Sequence, residues 1–253
     1  MTNELKKDVF DEYSKYYDLL YKDKDYKGEV EYIANILSEQ QVSTAQILEF
    51  GSGTGKHGRL LATLGHKVTG VELSQKMVDL AEQTERFKCL QGDITNINLN
   101  STYDCILSIF HVVSYLTENE QITSLFQNAN KHLKPNGLFI FDAWYSPSVN
   151  FMQPEVKIKR MSDPTFEVIR IAEPNILTDS NKVEVKYSIF SRFKTEPAWH
   201  LTKETHSMRH FSMPEIAYFA NQNGFDLIKT EEFKTKNKPS IDTWGGLLRL
   251  EKN

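Results

Sequence analysis

The first half of the chain alternates short apolar runs with segments of helical periodicity. The apolar runs predict strands over residues 46–50, 66–71, 87–91, 103–108 and 138–142. The intervening segments predict helices over residues 56–64, 74–83 and 118–132, and two further helices, over 8–20 and 26–40, precede the first strand. Alternation of this kind is typical of an α/β fold, in which helices cover both faces of a parallel sheet.

The pattern changes after residue 150. Residues 155–211 predict successive strands without a long helix, and Lys182–Ile189 alternates with period two. A helix over 214–223 and strands over 225–233 and 243–250 complete the chain. We therefore predict a core formed by residues 1–150 and 212–253, with an antiparallel β-rich insertion, residues 151–211, laid over it.

Composition and charge narrow the class of protein. The chain has 253 residues, 40% of them hydrophobic and 25% charged, and a net charge of -4, so no basic excess indicates a nucleic-acid partner. No apolar run reaches the roughly 20 residues that span a bilayer, and the N-terminus lacks the apolar segment of a signal peptide. Cys89 and Cys105 are the two cysteines, and both fall in predicted strands. We expect a cytoplasmic protein with no membrane partner.

A glycine-rich loop joins the first predicted strand to the helix after it. Gly51, Gly53 and Gly55 alternate along this loop, and residues without a Cβ let a ligand approach the backbone closely. Gly53, Gly55 and Gly58 also match the dinucleotide fingerprint, so an NAD(P)-dependent oxidoreductase is an alternative.

Two acidic residues follow the next two predicted strands. Glu72 lies about twenty residues after the loop, where a carboxylate accepts hydrogen bonds from ribose hydroxyls. Asp93 follows the third strand, in a position suited to the exocyclic amine of adenine. Both lie at the carboxyl edge of the sheet, where ligands of open α/β sheets bind.

These segments resemble the first three motifs of class I S-adenosylmethionine-dependent methyltransferases. The motifs are Glu49–Gly55 (EFGSGTG), Val71–Ser74 (VELS) and Gly92–Ile94 (GDI), and Leu133–Leu138 (LKPNGL) resembles the post-catalytic motif. The resemblance implies a Rossmann-like seven-stranded sheet flanked by helices, with its last strand antiparallel. It also implies S-adenosylmethionine as the cofactor, and no spacing of histidines and carboxylates indicates a metal.

The resemblance also implies which residues bind the cofactor. By this resemblance, the methionine part of the cofactor would be bound by Gly51, Ser52, Gly53 and Gly55. Glu72 would bind the ribose, and adenine would contact Leu73, Met77, Asp93 and Ile94. Further candidates for the cofactor pocket are Tyr17, Tyr26, His57 and Ser108.

For the methyl acceptor, the chain is most similar to nucleotide-aminosugar N,N-dimethyltransferases and related small-molecule methyltransferases of polysaccharide gene clusters. The segments that carry this likeness are Tyr17–Leu19, Lys24–Tyr26, Thr54–His57, Phe110–Leu116 and Phe141–Tyr145. In that group a histidine or tyrosine beside the acceptor amine falls at Tyr115. Their N-terminal catalytic tyrosine has no exact counterpart here, since Val9 aligns with it.

Two residues are candidates for catalysis. His111 suits a general base, because an imidazole titrates near neutral pH, and a structural histidine is the alternative. Tyr115 either orients the acceptor or packs in the core. Asp142 and Trp144 are expected to line the acceptor pocket, and the cations of the insertion suit a phosphorylated or nucleotide-linked acceptor: Lys159, Arg160, Arg170, Arg192 and Arg209.

We therefore predict methyl transfer to an amine or hydroxyl of a small molecule, such as a sugar nucleotide or polysaccharide precursor. Besides the oxidoreductase, a non-catalytic S-adenosylmethionine-binding regulator is an alternative. The insertion also offers sheet surface for a homodimer.

Overall fold

The computed structural model describes residues 19–40 and 42–253. The predicted helix over 8–20 lies outside this range except for residues 19 and 20, which are helical. Tyr17 and Val9 also lie outside the described residues. No helix within the described part of the chain is long and apolar enough to cross a membrane.

Besides the helical residues 19 and 20, the described chain contains six α-helices and eleven strands. The helices are α1 (Tyr26–Glu39), α2 (Lys56–Thr63), α3 (Gln75–Leu80), α4 (Asn119–His132), α5 (Ser146–Met152) and α6 (Met213–Gln222). The strands are β1 (Gln46–Phe50), β2 (Lys67–Glu72), β3 (Phe87–Gln91), β4 (Tyr103–Ser108), β5 (Leu133–Tyr145), β6 (Lys157–Ser162), β7 (Phe166–Leu177), β8 (Lys182–Phe193), β9 (His200–Phe211), β10 (Phe225–Glu232) and β11 (Gly245–Lys252).

Seven strands form the predicted Rossmann-like core. Their spatial order is β3-β2-β1-β4-β5-β11-β10. The first five are parallel, whereas β11 runs antiparallel between β5 and β10. The predicted α/β class, with an antiparallel last strand, is confirmed. Because helices cover both faces of a parallel sheet, its strands are apolar along most of their length. Strand β1, which is buried from Ile47 to Phe50, is an example.

The predicted antiparallel insertion after the fifth strand joins the core sheet at one strand and also packs on the core, where its Val168 and Ile189 share a buried cluster with Met77 of α3. Strands β6 to β9 form an antiparallel meander. The last of them, β9, joins β5 in parallel through two residue pairs, Trp144 with His210 and Tyr145 with Phe211. The period-two pattern of β8 is confirmed, since Val183, Val185 and Ile189 are buried.

Some element boundaries differ from the prediction, and one short helix was not predicted. Helix α3 ends at Leu80 instead of Gln83, because Ala81 turns to an extended conformation. Strand β5 runs from Leu133 to Tyr145 and contains the predicted Pro-Gly turn as an irregularity, with Asn136 at φ +60°. Helix α5 was not predicted, since its seven residues are too few for a periodic signal.

An aromatic cluster packs one face of the core sheet beneath α4. Phe126 is fully buried, and its ring centroid lies 5.7 Å from Phe139, 6.0 Å from Phe141 and 5.9 Å from Phe225. This cluster packs α4 against β5 and β10, and it therefore holds in place strands of the sheet that carries the site residues.

We expect Phe126→Ala to lower the free energy of unfolding by about 3–5 kcal/mol, since it removes a buried ring and leaves a cavity. Urea denaturation monitored by circular dichroism measures the change. Tyr218→Ala is the matched control, because Tyr218 is an aromatic residue of α6 that is 62% exposed. Equal stability of the two variants would contradict the assignment of this cluster to the core.

Candidate active site

A cavity of about 250 Å³ opens at the carboxyl edge of the parallel strands. Its lining combines the loop after β1, the ends of β2 and β3, and the turn after β4. Its far wall comes from the end of β5 and from the insertion, through Trp144, Tyr187 and Met208. The cavity thus lies between the core and the insertion.

The glycine loop requires residues without side chains at several points. Gly51, Gly53 and Gly55 have φ angles of +72°, +55° and +76°, in the left-handed region that favours glycine. A Cβ on Gly51 would lie 2.5 Å from Val112 Cγ1. The backbone of Gly51 and Gly53 lines the cavity, whereas a Cβ on Gly55 would meet the Phe87 ring at 2.5 Å.

The Glu72 carboxylate ties the glycine loop to the start of α3. Its Oε2 accepts a hydrogen bond of 2.9 Å from the Gly53 N–H, and its Oε1 accepts one of 2.9 Å from the Ser74 N–H. Ser74 in turn caps α3 by accepting a hydrogen bond from the Met77 N–H. This carboxylate is therefore held in one orientation at the cavity wall.

Asp93 is fixed in a similar way at the end of β3. Its Oδ1 accepts hydrogen bonds from the Thr95 N–H at 2.9 Å and from the Thr95 hydroxyl at 2.7 Å. Leu73, Met77 and Ile94 add apolar surface nearby. The edge of the sheet thus presents two oriented carboxylates around an apolar slot.

Glu29, Glu49 and His57 form a largely buried cluster next to the glycine loop. His57 lines the cavity, and its Nε2 lies 2.7 Å from Glu29 Oε2. Burial lowers the pKa of His57, although Glu29 partly opposes the shift. Burial also raises the pKa of Glu49 to about 8, and its carboxyl accepts a 3.0 Å hydrogen bond from the Ser52 hydroxyl. The Glu49 carboxyl is therefore mostly protonated and neutral at pH 7.

His111 projects into the cavity from a strained turn. Phe110 and His111 have φ angles of +73° and +62°, a conformation that costs roughly 1–3 kcal/mol for each residue without glycine's freedom. Asp142 compensates on β5: its Oδ1 accepts a 2.8 Å hydrogen bond from the His111 N–H, and its Oδ2 lies 2.9 Å from His111 Nδ1. Strain held by a buried carboxylate indicates a functional position.

The same carboxylate sets the charge of the imidazole. Burial disfavours the protonated ring, but attraction to Asp142 outweighs it, so the pKa of His111 lies above its ordinary value. His111 also lines a second cavity of about 290 Å³, together with Asp142 and Trp244. The ring therefore separates the first cavity from a second, more open one.

Tyr115 also lines the first cavity. It belongs to a single 3-10 turn, Val113–Tyr115, and its hydroxyl lies 2.8 Å from Nδ1 of His206 on β9. Burial raises the pKa of Tyr115 well above its ordinary value. The phenol is therefore neutral across the physiological range.

Most of the predicted site residues line this one cavity. They are Gly51, Ser52, Gly53, His57, Glu72, Leu73, Met77, Asp93, Ile94, His111 and Tyr115. Tyr26, Gly55 and Ser108 do not. Tyr26 packs behind His57, with ring centroids 4.8 Å apart, and Gly55 faces Phe87. Ser108 is fully buried and donates a 3.1 Å hydrogen bond to the Phe50 carbonyl.

Comparison with known proteins identifies the family. The family model described as a methyltransferase domain matches residues 47–137. An uncharacterized methyltransferase of Oceanobacillus iheyensis is 32% identical over 197 residues, which cover 74% of this chain and 90% of the relative. The chain belongs to the S-adenosylmethionine-dependent methyltransferases. These matches favour that family over the oxidoreductase alternative.

Two further similarities extend beyond the family match. The methyltransferase is 25% identical over 185 residues to the dTDP-3-amino-3,6-dideoxy-alpha-D-glucopyranose N,N-dimethyltransferase of Streptomyces fradiae, with 72% of each chain covered. The crystal structure of DesVI from Streptomyces venezuelae superposes with a TM-score of 0.80 at 20% identity, covering 95% of this chain and 98% of that chain. The structural likeness covers the insertion as well as the core, so the whole fold is shared.

The residues present fit S-adenosylmethionine. The side-chain-free backbone of Gly51 and Gly53 leaves room for a charged amino acid moiety. The fixed carboxylate of Glu72 suits a ribose diol, and the slot beside Asp93 suits a purine with an exocyclic amine. Each of these groups faces the same cavity of this methyltransferase.

Several lining residues were missed from sequence. Tyr21, Phe110, Tyr187 and Met208 line the cavity. Of these, Phe110 lies next to a predicted residue, and Tyr187 was assigned only to an apolar strand face. The contact of Tyr115 with His206 joins residues 91 positions apart. No motif or spacing in the sequence signals that contact.

Proposed function

We propose that this methyltransferase transfers methyl groups to an amino group of a sugar nucleotide. The observation that carries the proposal is the single cavity, which runs from the glycine loop past His111 and Tyr115 to Tyr187 and Met208 of the insertion. The activity of the S. fradiae relative, N,N-dimethylation of a dTDP-aminosugar, supplies the acceptor class. An amine is favoured over a hydroxyl for the same reason.

When bound, S-adenosylmethionine supplies an electrophilic methyl carbon on a positively charged sulfur. Gly51, Ser52, Gly53, Glu72 and Asp93 would hold it, with Leu73, Met77 and Ile94 against the adenine. His111 would take the proton whose loss leaves the acceptor nitrogen as a free amine, and Tyr115 would orient that amine towards the methyl group. Alignment of the two reactants in such a site can lower the barrier by roughly 7–11 kcal/mol.

Two cations at the edge of the cavity suit the phosphates of the acceptor. Lys159 and Arg170 are cross-strand partners on β6 and β7. The Lys159 ammonium lies 5.9 Å from the ring centroid of Tyr21, and the Arg170 guanidinium lies 5.0 Å from that of Tyr187. Both tyrosines line the cavity. The Lys159 ammonium also donates a 2.6 Å hydrogen bond to the Leu20 carbonyl. Arg192 and Arg209 form ion pairs with Glu167 and Glu215.

The same proposal covers the organisation of the chain. Residues 1–150 and 212–253 would form the cofactor-binding core, and residues 151–211 the acceptor-binding insertion. The free and buried thiols of Cys89 and Cys105 suit a reducing cytoplasm. Strand β6, at the open edge of the sheet, would be the site of homodimer contact.

A thermal-shift measurement tests the cofactor assignment. S-adenosylmethionine or S-adenosylhomocysteine at 100 times its Kd is expected to stabilise the protein by about 2.7 kcal/mol, or roughly 5–10 °C. NAD and NADP run in parallel as controls and should give no shift. A shift with NAD or NADP alone would contradict the assignment.

The acceptor is tested by mass spectrometry of the reaction products. The probe is dTDP-3-amino-3,6-dideoxy-alpha-D-glucopyranose with S-adenosylmethionine, and the expected product carries two methyl groups on nitrogen. The matching 3-hydroxy sugar nucleotide is the control. Methylation of the hydroxyl compound but not the amine would overturn the proposed acceptor class.

A further inference from the structure

Three side chains form a hydrogen-bonded chain that ends at the cavity. Glu204 Oε2 lies 3.2 Å from Nε2 of His206, and His206 Nδ1 lies 2.8 Å from the Tyr115 hydroxyl. Glu204 and His206 both belong to β9 of the insertion, whereas Tyr115 follows β4 of the core. Only the tyrosine lines the cavity.

The acid and the imidazole are shielded from solvent. Glu204 is 6% exposed and His206 is 3% exposed. The ring of Tyr187 packs edge-on against His206 at a centroid distance of 4.8 Å, and the Arg170 guanidinium lies 5.0 Å from the centroid of the Tyr187 ring. Burying a carboxylate and an imidazole costs both groups their hydration, and the hydrogen bond between Glu204 and His206 offsets part of this cost.

The order of donors and acceptors in the chain is set by chemistry. An ionised carboxylate only accepts hydrogen bonds, so Glu204 assigns the ring proton of His206 to Nε2. The bare Nδ1 is then an acceptor, and the Tyr115 hydroxyl donates to it. With its only proton so engaged, the phenolic oxygen presents lone pairs and no proton to an acceptor amine.

We propose that Glu204 and His206 are positioning residues that turn Tyr115 into a hydrogen-bond acceptor and proton relay for the methyl acceptor. This inference rests on the proposed function, and it adds two residues of the insertion to the reaction. The arrangement parallels the pairing of an acid, an imidazole and a hydroxyl in hydrolases, with a phenol in the place of a serine.

Each methyl transfer moves one proton from the acceptor nitrogen to His206. The amine uses its lone pair to bond the methyl carbon, and the electrons of the breaking carbon–sulfur bond return to sulfur. The resulting ammonium gives a proton to the Tyr115 oxygen, while the Tyr115 proton moves to Nδ1 of His206. His206 then carries one positive charge, which the Glu204 carboxylate offsets. After the product leaves, His206 returns this proton to the Tyr115 oxygen, and the hydroxyl passes its other proton to water in the cavity, so the chain is reset for the next transfer.

The first test needs no acceptor. Nitrogen-15 NMR of the labelled protein, with the His206 signals identified by their loss in His206→Gln, reports which ring nitrogen carries the proton. We expect protonated Nε2 and bare Nδ1 at neutral pH, with Tyr115→Phe shifting the Nδ1 resonance only. A proton on Nδ1, or an unchanged Nδ1 resonance in Tyr115→Phe, would overturn the inference.

The second test is kinetic and uses the dTDP-aminosugar probe. Tyr115→Phe and His206→Gln should each lower kcat on the order of 10²-fold, with the KM and the S-adenosylmethionine Kd nearly unchanged. The double variant should be no slower than either single one, because the two residues act as a unit. Additive losses in the double variant would contradict the relay.

A matched control lies on the same strand. His210 is buried on β9 and its Nδ1 lies 2.8 Å from the Ser146 hydroxyl, but it does not line the cavity. His210→Gln should leave kcat unchanged, and a loss as large as that of His206→Gln would count against the inference. If the probe is not turned over at all, the proposed acceptor fails, while the NMR result still decides the hydrogen-bond order.

Discussion

Replacing Gly53 with valine is expected to raise the Kd for S-adenosylmethionine roughly 100-fold or more, which is about 2.7 kcal/mol of binding free energy. Gly53 has φ +55° and lines the cavity, so a β-branched residue is strained there and fills space that the cofactor needs. A backbone shift that relieves the strain also breaks the 2.9 Å hydrogen bond to Glu72. Isothermal titration calorimetry measures the change.

Gly65→Val separates lost binding from backbone strain. Gly65 also has a positive φ, +97°, and nothing lies within 4 Å of a Cβ built there. This control should lose stability but keep the affinity for S-adenosylmethionine. A folded Gly53→Val protein with wild-type affinity would show that the glycine loop is not the cofactor site.

Replacing His111 with alanine is expected to slow methyl transfer on the order of 10²-fold while the affinity for S-adenosylmethionine stays unchanged. Asp142 contacts both the backbone N–H and the ring Nδ1 of His111, and it thereby holds the imidazole at the cavity wall. Single-turnover kinetics with the dTDP-aminosugar probe measure the transfer step. His200→Ala is the control, because His200 is an exposed histidine on β9.

The Asp142→Asn variant distinguishes a base from a merely packed histidine. A base acts in its neutral form, so activity falls as the pH drops through the pKa of His111. Asp142 raises that pKa against the effect of burial, and its removal therefore moves the acidic limb of the pH profile to lower pH. An unmoved limb together with full turnover of His111→Ala would exclude His111 from proton transfer.

The sequence predicted the core of this fold because its signals are local. Gly51 to Gly55 must turn a strand into a helix, and Ser74 and Gly224 mark a helix start and a helix end. The attachment of β9 to β5 was not predictable, because it depends on two residue pairs between segments more than sixty positions apart. A period-two pattern reveals which face of a strand is buried and says nothing about which neighbour it pairs with.

The same contrast holds for the site. Glu72 and Asp93 could be predicted because the carboxyl ends of parallel strands meet at one edge. Ser108 and Gly55 were predicted from their adjacency along the chain, whereas the Ser108 hydroxyl donates to the Phe50 carbonyl and a Cβ built on Gly55 would meet the Phe87 ring, so neither lines the cavity. The strain at Phe110 and His111, and the contact of His206 with Tyr115, exist only in three dimensions.

The shared cavity has an evolutionary consequence. The lining residues that we propose for the cofactor end at Ile94, and the far wall is built by residues from Trp144 to Met208. Mutations in the later stretch can therefore reshape one half without disturbing the other. A gene of this design can diverge toward new acceptors while every intermediate still binds the same methyl donor.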